Sequence, residues 1–433
     1  MNNPFHYGKP ISPEDFIVPN KARLQAIVRQ IITGESTAIV GEPHYGKTSL
    51  LKYLYSPAIR DGICSLQKEW RLVFQLMDYD LFQANDSGPA IFWEHALAPV
   101  GQLAGEAGNP QVKDAYERCV TGKYNSFAVE KLFSALEENK IRLVLMIDEF
   151  DDILQHPILG KKEFLGTLRS LGTWKASFAL IITTRSTVDE LNDHPQENDT
   201  IRRNSPYFNY FHQFILGPFT LESTRKLLKR ADGAFTPQEE LILVRLSDHN
   251  PHFLQMAAHA LWDAYFAEQI AESVDRMEYV WKHLGKESAS TLDDAWKHWT
   301  LRTKEVLTIV ALDDLPRLIA IRGYDTRAFA EQLRDCTEEI DFLEDRGYIT
   351  KSEGKYVISS QVLASWLSKK ITASFQNQDQ FGKWLMANQP KRVLSEAQRD
   401  GLRNILVAFG GVLRQNSDLF IKVMLEHFFP MPH

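Results

Sequence analysis

Residues 41 to 49 read Gly-Glu-Pro-His-Tyr-Gly-Lys-Thr-Ser, and no other stretch constrains the fold as much. They match G-x-x-x-x-G-K-[ST], the spacing of a phosphate-binding loop. Ser36-Thr37-Ala38-Ile39-Val40 before the loop reads as a short buried strand. Ser49 to Leu54 after it has apolar residues at helical spacing. Strand, glycine loop and helix form the context in which this motif binds phosphate. Gly41 and Gly46 let the backbone curl so that successive N–H groups converge on phosphate oxygens, and the helix N-terminus adds partial positive charge. Lys47 is placed to reach the terminal phosphates and Thr48 to offer a hydroxyl to Mg²⁺.

The chain has 433 residues, enough for two to four domains. Its net charge of −7 gives no bulk attraction to nucleic acid or anionic membrane. Cys64, Cys119 and Cys336 stand far apart with no Cys-x-x-Cys or Cys/His cluster, so neither a disulfide framework nor a zinc site is expected. The N-terminus lacks a basic segment followed by an apolar run, and no stretch approaches membrane-spanning length. A cytoplasmic protein without membrane contact is expected.

Residues 1 to 20 are rich in proline and aromatics and read as an extended strap. It either closes over a nucleotide base or simply packs on the first domain. A helix over 21–33 ends at Gly34, and a second strand covers 71–77. Helices follow over 89–104, 112–118 and 126–139. Ile141 to Ile147 is a continuous apolar run ending in Asp148-Glu149, as in a strand buried on both faces. Behind a phosphate loop, such a strand delivers Asp148 to Mg²⁺ and places Glu149 to polarise an attacking water. Asp151 and Asp152 are expected to be solvated or to cap the next helix, because four acids at one metal would repel. Phe178 to Thr183 is a further buried strand beside this one, followed by Thr184-Arg185. Thr183 or Thr184 would sense a γ-phosphate and Arg185 would contact it, the alternative being a surface ion pair. Alternating strands and helices, with the chemistry at strand C-termini, predict a parallel doubly wound sheet.

Gly217-Pro218 marks the end of that sheet. Helices over 220–232, 236–247, 251–271 and 273–284 predict an all-helical lid. Helices over 300–312, 326–333 and 338–345, a hairpin about Glu353-Gly354 and a helix over 361–371 predict a winged helix. From Ala295 to Lys370 there are 12 Lys/Arg and 12 Asp/Glu. The helix that would enter a DNA groove, Thr337 to Asp345, is acidic, where groove binding needs cations. Packing on protein is therefore expected. After a polar linker, helices over 381–387, 395–409 and 418–429 form a short module that would gain from packing on a partner.

With these stretches in place, the sequence resembles the STAND class of signalling NTPases, specifically prokaryotic AAA-like STAND ATPases with a C-terminal winged helix. The resemblance rests on Asn3-Pro4-Phe5, Tyr7-Gly8, Pro13 to Phe16, the loop at 41–49, Ile147 to Phe150, Ile181 to Arg185, Ser205 to Asn209, Gly217 to Thr220 and Pro251 to Gln255. It implies phosphate contacts from Gly46, Lys47, Thr48 and Ser49, Mg²⁺ at Asp148, and Glu149 as the hydrolytic acid. It further implies Arg185 as sensor arginine and Pro251 near adenine. Such proteins resemble switches, closed with ADP and opened or oligomerised by a trigger and ATP, many of them in prokaryotic defence. Two positions depart from the family pattern: Val18-Pro19 stand where Gly-Arg is usual, and Asp248-His249-Asn250 where glycines are usual.

The expected architecture is α/β: an AAA-like P-loop NTPase core with a parallel sheet and helices on both faces (1–218), a helical lid (219–290), a winged-helix domain (291–372) and a small all-α C-terminal module (373–433). The expected cofactors are ATP or ADP with Mg²⁺. The expected partners are a protein effector or adaptor, through 373–433, and further copies of the chain in a nucleotide-dependent oligomer; nucleic acid is not expected. The alternatives are a DNA-handling AAA+ ATPase and a nucleotide-stabilised scaffold without turnover. Glu149→Gln should still bind ATP while turnover falls by roughly 10² or more. A phosphate-release assay checks this, and equal turnover in variant and wild type would remove Glu149 from its role.

Overall fold

The computed structural model describes residues 2–78, 88–106, 109–193, 207–314 and 333–374. The expected helix over 326–333 and the three helices beyond residue 380 lie essentially outside the described residues. The chain divides into two compact units. The sheet unit comprises residues 10–42 and 46–216, and the C-terminal unit comprises residues 1–9, 43–45 and 217 onward.

The sheet unit begins with α1 (Lys21–Thr33), capped by the Asn20 side chain and stopped by Gly34 in the left-handed region. β1 (Ser36–Val40), α2 (Lys47–Tyr55) and α3 (Pro57–Leu66) follow. β2 (Arg71–Met77) leads to α4 (Pro89–Ala96), α5 (Ala98–Gly105), α6 (Pro110–Thr121) and α7 (Ser126–Glu138). The single helix expected over 89–104 breaks at Leu97, because Pro99 lacks an N–H and its ring opposes the preceding turn. β3 (Ile141–Ile147), α8 (Phe150–Gln155), α9 (Lys162–Trp174), β4 (Phe178–Thr184), α10 (Val188–Asp193) and β5 (Phe211–Ile215) complete the unit.

The five strands are parallel in the order β2-β3-β4-β1-β5. β1, β3 and β4 are buried at every residue. Helices cover both faces. One apolar cluster joins Leu143, Leu145 and Ile147 of β3 to Trp93, Phe133 and Phe164. The other joins Val144 and Met146 to Ile27, Ile31, Leu50 and Leu54. Alternate side chains of one strand thus enter opposite layers, as the period of two requires. β4 lies between β1 and β3, so the C-terminal ends of these three strands share one edge.

The C-terminal unit contains α11 (Leu221–Leu228) with a 3₁₀ turn to Ala231, α12 (Pro237–Ser247), α13 (Pro251–Phe266) and α14 (Ser273–His298). α14 runs well past residue 284, where the sequence pattern was expected to stop. Leu284, Ser288, Leu292 and Ala295 continue its buried stripe at helical spacing, which carries the helix through Gly285. α15 (Leu301–Asp313), α16 (Thr337–Asp345), the antiparallel pair β6 (Ile349–Ser352) and β7 (Lys355–Ile358), and α17 (Gln361–Ser374) follow. In the span where a winged helix was expected, the described residues form helices and one antiparallel strand pair.

Within this unit the N-terminal residues are packed rather than loose. Phe5 is fully buried and stacks on Phe235 with ring centroids 5.7 Å apart. The Asn3 amide donates to the carbonyl of His259 and to Asp263. Tyr7 lies edge-on to His252, His259 and His283. For residues 3 to 7 these contacts are those of helix packing.

His252 is almost wholly buried in the first turn of α13 and stacks on His44 at 4.5 Å. Burial, with His44 alongside, pulls its imidazole from 6.5 down to about 3. The unfolded chain takes up this proton near pH 6.5 and the folded one only near 3. Its contribution is therefore intact above pH 6.5 and is lost as pH falls toward 3, by about 1.4 kcal/mol per pH unit. His252→Phe should lower the slope of unfolding free energy against pH by that amount between about pH 6 and 4. Denaturant titrations of both proteins check it, and parallel slopes would contradict it.

Candidate functional site

The loop at 41–49 leaves β1 and enters α2 at the edge where β1, β4 and β3 end. The Gly41 N–H donates to the Thr184 carbonyl at 3.0 Å, which ties the start of the loop to the end of β4. A Cβ at Gly41 would stand 3.1 Å from the Cβ of Leu216, so any larger residue would have to push that neighbour aside. Gly46, with φ of 87°, is the N-cap of α2 in the left-handed conformation that glycine adopts without strain. Lys47 and Thr48 then fall in the first turn of α2, where main-chain N–H groups have no helical acceptor.

The Lys47 ammonium folds back to donate to the carbonyls of Gly41 at 2.7 Å and Glu42 at 3.1 Å. Burial pulls its pKa from 10.5 down to about 8. Glu42, Asp151 and Asp148 oppose that shift, and Arg185 adds to it. The lysine named by the motif thus shares one electrostatic environment with the acids of β3 and the arginine of β4. The buried Ser49 hydroxyl accepts the Ile11 N–H at 3.0 Å, which leaves its own proton to donate.

Asp148 follows β3, buried to 5% exposure, and its N–H donates to the Met77 carbonyl at 2.9 Å. The Thr183 hydroxyl donates to the Asp148 carboxylate and accepts the Glu149 N–H at 3.0 Å. Thr183 is therefore a strut between β4 and the two acids, while Thr184 is held by Asp151. The sequence had left both threonines open as phosphate sensors. Glu149 is exposed and has φ of 54°, a positive value that carries a steric cost for a residue with a side chain. Such strain collects where a side chain must be aimed for function.

Asp151 corrects an expectation. In the first turn of α8 it neither faces solvent alone nor caps the helix, whose N-cap is Glu149. One carboxylate oxygen accepts the Thr184 hydroxyl at 2.8 Å, and the other accepts the Arg185 N–H at 2.8 Å. The Thr184 hydroxyl in turn accepts the Ser186 N–H at 3.0 Å. Asp151 thus holds the main chain from which the exposed Arg185 side chain springs. Glu42 and Tyr45 escaped the sequence reading, and Asp151 was read there only as solvated or capping. The motif leaves positions 42 and 45 unspecified, and the one available signal for Asp151 was its spacing of three residues from Asp148.

Pro251, expected near adenine, is the buried first residue of α13, whose end is capped by the Asn250 side chain. The crest of the loop, residues 43–45, belongs to the C-terminal unit. There the buried Tyr45 hydroxyl donates to the Arg346 carbonyl at 2.7 Å and accepts from the Asn250 amide at 2.7 Å. Among the described residues no group of three or more His, Cys, Asp or Glu is arranged to hold a metal by itself. The Thr48 hydroxyl and Asp148 carry the hard oxygen donors that a phosphate-bound Mg²⁺ would take. No helix among the described residues is long and apolar enough to cross a membrane.

Fold and loop together define a P-loop NTPase fold. Among solved structures, a Walker-type ATPase of Pyrococcus abyssi superposes with a TM-score of 0.51 at 15% identity, covering 84% of this chain and 99% of that one. The ORC2 protein of Aeropyrum pernix gives 0.46 at 13% identity, over 84% of this chain and 97% of that one. A Signal Transduction ATPase with Numerous Domains from Pyrococcus horikoshii, with a tetratricopeptide repeat sensor, gives 0.32 at 16%, over 94% of this chain and 51% of that one. Only the first superposes closely enough to bear on the fold. No family model and no curated protein matches the chain.

The lysine yields a pH prediction. Phosphate binding requires the charged ammonium, so affinity for Mg·ADP should be flat up to about pH 7 and weaken through pH 8 to 9, by up to about tenfold per unit. Lys47→Arg, charged throughout, should bind more weakly but without the bend. Calorimetry across this range decides it, and a wild type with no bend would contradict the assignment.

Proposed function

We propose that this chain is an ATP-binding signalling switch of the STAND kind, with slow Mg²⁺-dependent hydrolysis, that changes shape or oligomeric state to control a protein partner in prokaryotic signalling or defence. One observation carries the reading: the crest of the phosphate loop is a structural member of the C-terminal unit. Tyr45 is held there by the lid residue Asn250 and by the main chain of Arg346, just ahead of the wing. A nucleotide that reshapes the loop therefore acts on the groups that hold Tyr45. A ligand shifts a conformational equilibrium only by its differential affinity for the two states, and in this reading ATP and ADP differ in how they hold the loop that carries Tyr45.

In this reading Gly41, Gly46, Lys47, Thr48 and the Ser49 N–H hold phosphate, and Thr48 with Asp148 holds Mg²⁺. Glu149 orients water and Arg185 meets the γ-phosphate. Mg²⁺ supplies charge neutralisation of the phosphates when bound. Pro251 lies beside adenine. An effector or adaptor engages residues 373–433.

DNA handling is the other reading, and the solved relatives include an Aeropyrum pernix ORC1 protein in complex with DNA. The described part of α16 weighs against it. Ile340 and Leu343 are buried, while Glu338, Asp341, Glu344 and Asp345 are exposed, so the outward face is acidic. Arg346, fully buried over the Phe342 ring, offers no charge to a phosphate backbone.

The test is hydrodynamic size by analytical ultracentrifugation in Mg·ADP and Mg·ATP. The wild type should differ between the two. Tyr45→Phe leaves the Arg346 carbonyl and Asn250 amide short of a partner, a loss of about 1–3 kcal/mol. It should take up the ATP-like form with ADP bound. An identical size for the wild type in both nucleotides would contradict the switch, and duplex DNA binding at low salt would favour the other reading.

A further inference from the structure

Asp151 belongs to neither half of the acid pair that the strand β3 delivers. A carboxylate placed near two others raises their mutual repulsion, and the contacts around it explain why one stands there. Its two oxygens are both committed to β4: one to the Thr184 hydroxyl at 2.8 Å, the other to the Arg185 N–H at 2.8 Å. The Ser186 N–H lies 3.4 Å from the first oxygen and 3.0 Å from the Thr184 hydroxyl. Thr184 is fully buried, so its hydroxyl has no alternative in water. Hydrogen bonds to a charged acceptor are the stronger kind, and two of them from adjacent residues fix direction as well as distance.

A second lacing runs the other way. The Thr183 hydroxyl donates to Asp148 and accepts from the Glu149 N–H. Consecutive threonines of β4 are thus bound to both ends of the segment 148–151, one to Asp148-Glu149 and one to Asp151. The turn that carries the strained Glu149 and the residue pair that carries Arg185 form one hydrogen-bonded block. Asp151 also acts on Lys47 electrostatically, together with Asp148 and Arg185.

We infer that Asp151 is a positioning residue that locks the Arg185 main chain to the Asp148-Glu149 turn, so that the γ-phosphate contact and the water-orienting acid keep one fixed spacing. This rests on the ATPase reading above. Asp151 does not touch nucleotide in it; it acts through Arg185. Removing it should loosen Arg185 and spare whatever the loop alone binds.

The experiment is a double-mutant cycle on the full chain, with Asp151→Ala, Asp151→Asn, Arg185→Ala and the Asp151→Ala/Arg185→Ala double variant. The readouts are affinities for Mg·ADP and Mg·ATP and the single-turnover rate of ATP hydrolysis. At a pH well below 8, where Lys47 stays charged with or without Asp151, Asp151→Ala should lower the ATP-over-ADP preference and the rate by about tenfold each, with ADP affinity nearly unchanged. Asp151→Asn keeps one acceptor oxygen and should fall between. In the Arg185→Ala background Asp151→Ala should add nothing, because its effect passes through that arginine. Full additivity in the double variant, or equal losses of ADP and ATP binding, would overturn the inference and make Asp151 a structural support alone. A wild type that neither prefers ATP nor hydrolyses it would instead sink the ATPase reading, and this inference with it.

Discussion

The parallel pairing of β4 with both β1 and β3 is the constraint on which the candidate chemistry depends. Each parallel strand contributes only its C-terminal end to the edge, so three neighbouring strands bring three short peptides together: the loop from Gly41, the Asp148-Glu149 turn and Thr184-Arg185. The hydrogen bond from Gly41 N–H to the Thr184 carbonyl and the Thr183 lacing to Asp148 extend that pairing past the sheet. Strands buried on both faces make the arrangement stiff, since any shift in register would drive apolar side chains out of two packed layers at once.

That constraint also explains which parts were legible in sequence. β3 and β4 are unbroken apolar runs with a polar end, and such runs mark both a doubly buried strand and its functional terminus. The loop motif fixed its own flanking elements. β5 was missed because Phe-His-Gln-Phe-Ile lies at the sheet edge, with His212 and Gln213 exposed, and reads as neither an alternating nor a fully apolar strand. α14 runs past the expected end at residue 284 because its buried stripe continues through Gly285. In the candidate site, the residues proposed to hold phosphate and Mg²⁺ were readable from type and spacing. Tyr45 and Asp151 were not, because their roles come from partners more than thirty residues away, which no local pattern encodes.

Two electrostatic features give the reading its character. Lys47, drawn down to about 8 by burial, remains mostly charged at neutral pH but is held close to neutrality. The acids Glu42, Asp148 and Asp151 keep it charged, and a phosphate would do the same more strongly. In the C-terminal unit the His252 ring, held uncharged by burial, stacks on His44, and the Tyr45 hydroxyl bonds to Asn250 and the Arg346 carbonyl, with no formal charge to satisfy. Contacts of that sort are cheap to break and re-form relative to a buried ion pair. A loop with a strong preference for phosphate at its base and neutral hydrogen bonds at its crest suits a two-state element.

The most direct test of the central claim, that nucleotide at the loop is felt in the C-terminal unit, is hydrogen exchange over residues 217–374 with the site filled by ADP or by a slowly hydrolysed ATP analogue. The account predicts that amides of α13 around Asn250 and of the segment around Arg346 change protection between the two nucleotides, while those of β1 and β3 do not. Nucleotide-dependent protection confined to the sheet unit, with residues 217–374 identical in both states, would contradict it.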